Sequence, residues 1–325
     1  MAMEFILVRK ANKMDEKIFY YIDQVERLIA DETVMPVTCE IDPTNRCQLD
    51  CSYCMFKTLR DGVDKEDLPI GIYRHLLLDL KRIGTKSITF TGGGEPMLHG
   101  EFDKMVDWAE TLGFEYGLIT NGLLLDRIDR PDRFKFIRVS LDAGTSETYK
   151  KLKRAGSAFD KVISNIKYAK RKGALVGLSF VVNETNRNDI ETAQELAKEL
   201  QVAYIQFKPA WENGNPFVKY EVPGMDNVID QKRYKATDRI PCAIAGLIGI
   251  VGADAKVYYC CQYRGNDRYC LGNLRHATFP EIWKRRPALI ADIGRCPNCR
   301  YMNYTRAYKN FTEKGTLFFK HRNFL

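Results

Sequence analysis

Three cysteines stand close together in Asn45-Arg46-Cys47-Gln48-Leu49-Asp50-Cys51-Ser52-Tyr53-Cys54, with three residues and then two between them. A loop this short can wrap three thiolates around one face of a cubane cluster. Three ligands on a 4Fe–4S cluster leave one iron without a protein ligand. Such an iron is open to a small molecule, as is the open position of a catalytic metal centre. A structural zinc site asks for four ligands. No histidine or fourth cysteine lies beside the triad, since Cys39 falls inside the strand that precedes it.

A second cysteine group lies far along the chain. Cys242 and Cys260 have seventeen residues between them, and Cys296-Pro297-Asn298-Cys299 follows. Residues Ile248 to Tyr259, with a turn at Gly252-Ala253-Asp254-Ala255, read as a hairpin that brings its flanking cysteines to one end. The later pair completes a four-thiolate set, which suits zinc or a closed iron–sulfur cluster. Cys261 is the alternative to Cys260, because adjacent strand residues point oppositely.

Between the two groups, polar and glycine residues recur where strands end. Thr91-Gly92-Gly93-Gly94-Glu95-Pro96 lets backbone approach a ligand closely and sets a carboxylate beside it. Thr120-Asn121-Gly122 and Val139-Ser140-Leu141-Asp142 offer polar groups that suit a sugar or a carboxylate, or that cap the following helices. Lys150, Lys151, Lys153 and Arg154 form a basic cluster, the usual mark of a solvated helix face. Lys208 and Trp211 lie where a substrate could meet them, though a solvated lysine and a core tryptophan account for them equally.

These residues need a scaffold that gathers strand ends. Six strands are expected at Val37–Ile41, Ser87–Thr91, Glu115–Thr120, Phe136–Ser140, Ala174–Val182 and Tyr204–Lys208. Segments between them, such as Asp160–Arg171 and Asp189–Leu200, have helical periodicity. The alternation predicts a parallel sheet with right-handed crossovers. Six units fall short of the eight of a closed barrel, so the fold class is α/β: an open partial (β/α)6 barrel with its active residues beyond the strands' C-terminal ends. A small C-terminal cysteine-rich module of β-hairpin and helix is expected to follow. The organisation expected is an N-terminal helical segment over 1–36, the barrel over 37–210, a linker over 211–240, and the cysteine-rich module with its tail over 241–325.

Composition narrows the class. The chain has 325 residues, 45% hydrophobic, enough for a substantial core, and a net charge of +8. That modest surplus suits a phosphorylated or nucleotide-like substrate as well as a solvated surface, and does not exclude nucleic acid. The apolar start is too short for a signal peptide, and no window approaches the roughly 20 residues that cross a bilayer. A cytoplasmic protein without membrane association is expected, in which ten cysteines point to metal rather than disulfides.

The triad, with Tyr53 as the aromatic before its last cysteine, resembles the hallmark of the radical S-adenosylmethionine (SAM) superfamily. The resemblance implies that the open iron chelates the amino and carboxylate groups of SAM, which is cleaved to a 5′-deoxyadenosyl radical. It implies that Gly93, Gly94 and Glu95 hold the SAM amino group, and that Ser140 with Thr120 or Asn121 meets the ribose or the carboxylate. A basic residue near the cluster at 150–154 binds the carboxylate, and Arg154 is selected for it. Leu271-Gly272-Asn273-Leu274, Phe279-Pro280-Glu281-Ile282-Trp283 and Cys296-Pro297-Asn298-Cys299-Arg300-Tyr301 resemble, in order, the SPASM/Twitch extensions of that superfamily. The cofactors implied are SAM and two 4Fe–4S clusters: one on Cys47, Cys51 and Cys54, and an auxiliary one on Cys242, Cys260, Cys296 and Cys299.

By this architecture the chain is similar to Twitch-bearing dehydrogenases that oxidise a cyclitol. The expected reaction is hydrogen abstraction from, and oxidation of, a small polar metabolite such as a sugar, cyclitol or nucleotide. The auxiliary cluster would accept an electron, and a flavodoxin or ferredoxin would supply the reductant. The alternative is radical epimerisation, cross-linking or dehydration of a peptide or other biosynthetic substrate.

Overall fold

A computed structural model describes residues 20–30, 32–57, 66–155, 158–212, 215–216, 219–224, 227–230 and 244–286. Its centre is a sheet whose first six strands are β1 (Thr38–Ile41), β2 (Ser87–Phe90), β3 (Glu115–Thr120), β4 (Phe136–Ser140), β5 (Val176–Val182) and β6 (Tyr204–Pro209). Each pairs in parallel with the next. These are the expected strands to within two residues at either end. After a short pairing of β7 (Trp211–Glu212) with β8 (Asn215–Pro216) come β9 (Val228–Asp230), β10 (Ile248–Val251), β11 (Lys256–Tyr258) and β12 (Cys270–Asn273).

The N-terminal helix is described as α1 (Ile22–Ile29). Then come α2 (Ile70–Arg82), α3 (Phe102–Thr111), α4 (Ser146–Lys153), α5 (Ala158–Arg171), α6 (Ile190–Glu199) and α7 (Phe279–Lys284). Their amphipathic spacing puts one stripe of each on the sheet. On α5 the buried positions are Phe159, Val162, Ile166 and Ala169, repeating at three and four residues, with Asn165 among them. Each large apolar side chain so buried contributes about 1.5–3 kcal/mol.

Strand alternation sorts the two faces of the sheet. On β4, Ile137 and Val139 are buried in the core shared with the helices, while Arg138 and Ser140 turn inward. The inner face is thus polar and the outer face apolar, as an open α/β partial barrel requires when its interior is a site rather than a plug.

The sheet is wider than the sequence suggests, in the order β12-β11-β10-β1-β2-β3-β4-β5-β6-β9. The hairpin of β10 and β11 is present, with Ala255 in the left-handed region at φ 63°. However, β10 also lies parallel to β1, Thr38 opposite Ile248. At the other edge β9, within the stretch read as linker, runs parallel to β6 and buries Val228 and Ile229. Both additions cover strand edges that would otherwise expose unpaired backbone groups. Trp283 of α7 donates its indole N–H to the Val34 carbonyl at 2.8 Å, tying the C-terminal side to the start of the barrel. Among the described residues no helix is long and apolar enough to cross a membrane.

Candidate functional site

A cavity of about 260 Å³ opens at the C-terminal ends of the central strands. Its lining includes Cys47, Cys51, Tyr53, Cys54, Gly93, Gly94, Glu95, Thr120, Asn121 and Ser140. Sequence reasoning named all ten.

The cysteine loop leaves β1 and is wedged between two other elements. On one side the Ser52 N–H donates to the Leu152 carbonyl at 2.9 Å, at the end of α4. On the other the Glu95 N–H donates to the Arg46 carbonyl at 2.7 Å. Gly94 permits that approach: a Cβ there would stand 2.1 Å from the Arg46 carbonyl oxygen. All three thiols are half-buried at the cavity. Burial holds the Cys51 thiol above its ordinary value, with Lys153 opposing. Three thiols on one short loop, each reaching a shared cavity, fit a cluster that uses three protein ligands.

Glu95 is held from below. It accepts from the Thr120 hydroxyl at 2.7 Å, the Asn121 N–H at 2.7 Å and the Met97 N–H at 3.4 Å. Burial raises its carboxyl to about 7, although these hydrogen bonds favour the charged form. A buried, oriented carboxylate of this kind is suited to a cation. Behind the glycine turn, Asp42 accepts from the Gly93 N–H at 3.3 Å and is raised to about 6, chiefly by burial, with Arg264 opposing.

The basic cluster resolves differently from the sequence reading. Arg154 caps α4 in a left-handed conformation, is half-exposed, and pairs with Asp50 at 2.8 Å on the surface. It does not line the cavity. Lys153 does, and is 2% exposed. Its ammonium donates to Asp142, to the Tyr53 hydroxyl at 2.6 Å and to the Ser140 carbonyl at 3.0 Å. Burial pushes the Lys153 ammonium down, but Asp142 and its other neighbours leave it well above its ordinary value. The physical reason was legible as periodicity: Tyr149, Leu152 and Lys153 share the buried face of α4, three and four residues apart. Tyr53 therefore does more than flank a cysteine. Its phenol donates to Asp142 at 2.6 Å and pins the loop to the end of β4.

Sequence reasoning foresaw the C-terminal hairpin and its cysteines but missed Arg264. Arg264 pairs with Glu40 and, at 3.3 Å, with Asp42, and it reaches the cavity wall together with Cys261. Of the two candidate thiols, Cys260 instead accepts from the Gln262 N–H at 3.3 Å. Lys208 lines the cavity. Cys242, Cys296 and Cys299, and the side chain of Trp211, lie outside the described residues.

Comparison with known proteins agrees with this geometry. Residues 41–197 match the model of the Radical SAM superfamily, and 242–301 match that of an iron-sulfur cluster-binding domain, SPASM. An S-adenosylmethionine-dependent nucleotide dehydratase of Selenomonas ruminantium is 26% identical over 49% of this chain and 61% of its own length. A probable GTP 3′,8-cyclase of Saccharolobus islandicus is 33% identical over 50% of this chain and 53% of its own. The chain thus spans between half and two thirds of these relatives. The crystal structure of Streptococcus suis SuiB bound to S-adenosylmethionine superposes with a TM-score of 0.61, over 83% of this chain and 70% of that one. At 17% identity the likeness is one of fold.

Proposed function

This chain belongs to the radical SAM superfamily and carries an iron–sulfur cluster-binding module of SPASM type, and we propose that it oxidises a small polar metabolite by two electrons. When bound, SAM and its 4Fe–4S cluster supply hydrogen abstraction from carbon, and a further cluster supplies a place for the second electron. The protein's own residues bind and orient. Cys47, Cys51 and Cys54 hold the first cluster. Glu95, with Gly93 and Gly94, receives the SAM ammonium, Asn121 and Ser140 face its polar groups, and Thr120 orients Glu95. Lys153 takes the carboxylate in place of Arg154. Cys242, Cys260, Cys296 and Cys299 hold one auxiliary cluster, and a flavodoxin or ferredoxin delivers the reducing electron.

The observation that carries this reading is the meeting of two regions at one cavity. The triad and Glu95 line it from the barrel, and Cys261 and Arg264 line it from the hairpin. A substrate held there lies between the site of abstraction and the auxiliary module. The names of the relatives support a second reading, a redox-neutral radical modification of a nucleotide. Incubation in deuterated water with candidate sugars, cyclitols and nucleotides separates the two. Oxidation predicts one oxidised product per SAM consumed. An epimer, a dehydrated species or a cyclised product selects the second reading.

A further inference from the structure

Arg264 joins the hairpin to three parts of the barrel at the wall of the cavity. Its guanidinium pairs with Glu40 and, at 3.3 Å, with Asp42, two residues apart at the C-terminal end of β1. All three side chains are buried. Asp42 in turn accepts from the Gly93 N–H, and the glycine turn packs closely on it: a Cβ at Gly92 would stand 3.3 Å from the Asp42 Cβ. The guanidinium also lies 5.7 Å from the centre of the Phe56 ring, a cation–π contact with the residue two beyond Cys54. Phe56, Gly92 and Gly93 line the cavity together with Arg264.

A short, closed turn that starts at the hairpin cysteines carries Arg264. The Tyr263 N–H donates to the Cys260 carbonyl at 3.1 Å, and the Asn266 N–H to the Tyr263 carbonyl at 3.1 Å. Tyr263 stacks on Tyr269 with ring centres 3.9 Å apart, and the Tyr259 N–H donates to the Tyr269 carbonyl at 3.0 Å. Cys260 and Cys261 therefore stand one turn from Arg264, whichever of them is a ligand. A cluster that fixes this cysteine fixes the turn, and the turn delivers the guanidinium to Glu40 and Asp42. With the turn unseated, two carboxylates would stay buried without that cation, an unfavourable state. The glycine turn would then lose the fixed carboxylate on which it rests.

We propose that Arg264 is a positioning residue that couples the auxiliary module to SAM binding. The occupied module seats Arg264, and Arg264 holds the glycine turn and the cysteine loop in the form that binds SAM. The proposal rests on reading the cavity as the SAM site and the hairpin cysteines as part of the auxiliary centre. Coupling between two sites is reciprocal, so SAM in turn favours the occupied module. The effect is to set an order of events. SAM is held tightly where an electron acceptor is already in place, which limits radical formation without one.

The test is a double-mutant cycle on the reconstituted full chain under anaerobic conditions, with SAM as the probe and equilibrium dialysis as the readout. Replacing Cys296 and Cys299 by Ala in the wild-type background should weaken SAM about fivefold or more, as coupled sites do. Cleavage should still proceed at saturating SAM. A second background carries Glu40→Gln with Arg264→Gln, which removes the buried cation together with one of its carboxylates. There the same cysteine replacements should change SAM affinity by about twofold at most. Arg264→Lys keeps the charge and should recover part of the coupling. Where the Glu40→Gln, Arg264→Gln protein fails to take up iron, Asp42→Asn replaces it in the cycle with the same expectation. That variant keeps an oxygen for the Gly93 N–H and removes a charge facing Arg264. Equal losses in both backgrounds, the pattern of a merely structural arginine, overturn the coupling, as does unchanged affinity in the wild-type background. Iron content that the cysteine replacements leave unchanged overturns the auxiliary centre, and the coupling with it. A wild type that forms no 5′-deoxyadenosine overturns the reading of the cavity itself.

Discussion

The two cysteine regions of the molecule are built on opposite plans. Cys47, Cys51 and Cys54 sit half-buried on a loop that opens on the cavity. Cys260 and Cys261 are 8% and 7% exposed, in an apolar cluster with Val25 and Leu28 of α1 and Tyr258 of β11, and of the two Cys261 also reaches the cavity wall. A centre that must admit an exchangeable ligand needs an approach from solvent. A centre that only relays electrons gains from a dry shell, which sets its potential. On this account the barrel loop carries the chemistry and the hairpin carries the electron.

Replacing Cys296 and Cys299 together by Ala sharpens that division most. Iron should fall from roughly eight to roughly four per chain, since each 4Fe–4S cluster holds four. SAM cleavage should persist while oxidised product disappears. Stoichiometric zinc in the anaerobically purified wild type would break the comparison at the hairpin.

Lys153 and Arg154 test which side of α4 serves the cavity. Lys153→Met strands the buried Asp142 carboxylate and should cost about 3–5 kcal/mol in denaturant unfolding, with loss of SAM affinity. Arg154→Met removes a surface ion pair and should change stability by ~1 kcal/mol at most.

Glu95→Gln keeps the shape of the glycine turn and removes the charge. The SAM dissociation constant, read by equilibrium dialysis, should rise roughly 30- to 100-fold, the loss of about 2–3 kcal/mol from a charge-assisted hydrogen bond.

The smallest effect is one of pH. Glu95 is raised to about 7, so in the ligand-free protein its neutral form is favoured. Its contribution to stability is present below the ordinary carboxylate range and is lost as pH rises through about 7. A cationic ligand needs the charged form, so SAM affinity should rise roughly tenfold from pH 6 to pH 8. Glu95→Gln should flatten that profile.

Much of the barrel was legible because its signals are local. Strand alternation and helical spacing placed the six strands, while the cysteine spacing, the glycine turn and the family resemblance named ten of the cavity residues. What escaped depends on partners far along the chain. Nothing near Ile248 announces that it lies beside Thr38, and nothing near Val228 announces β6. Arg264 is anonymous until β10 carries the hairpin against β1 and brings it to Glu40 and Asp42. Arg154 is a different case. The resemblance pointed to a basic residue in this cluster, and the buried face of α4 turns Lys153, rather than Arg154, to the cavity.

The central claim is that the barrel triad, and not the hairpin, holds the cluster that cleaves SAM. The most direct measurement compares 5′-deoxyadenosine formation by the wild type and by Cys47→Ala, Cys51→Ala and Cys54→Ala combined, each reconstituted anaerobically and reduced with dithionite. The account predicts formation by the wild type and none by the triple variant, which keeps the absorbance of its second cluster. Undiminished formation in the triple variant would contradict it.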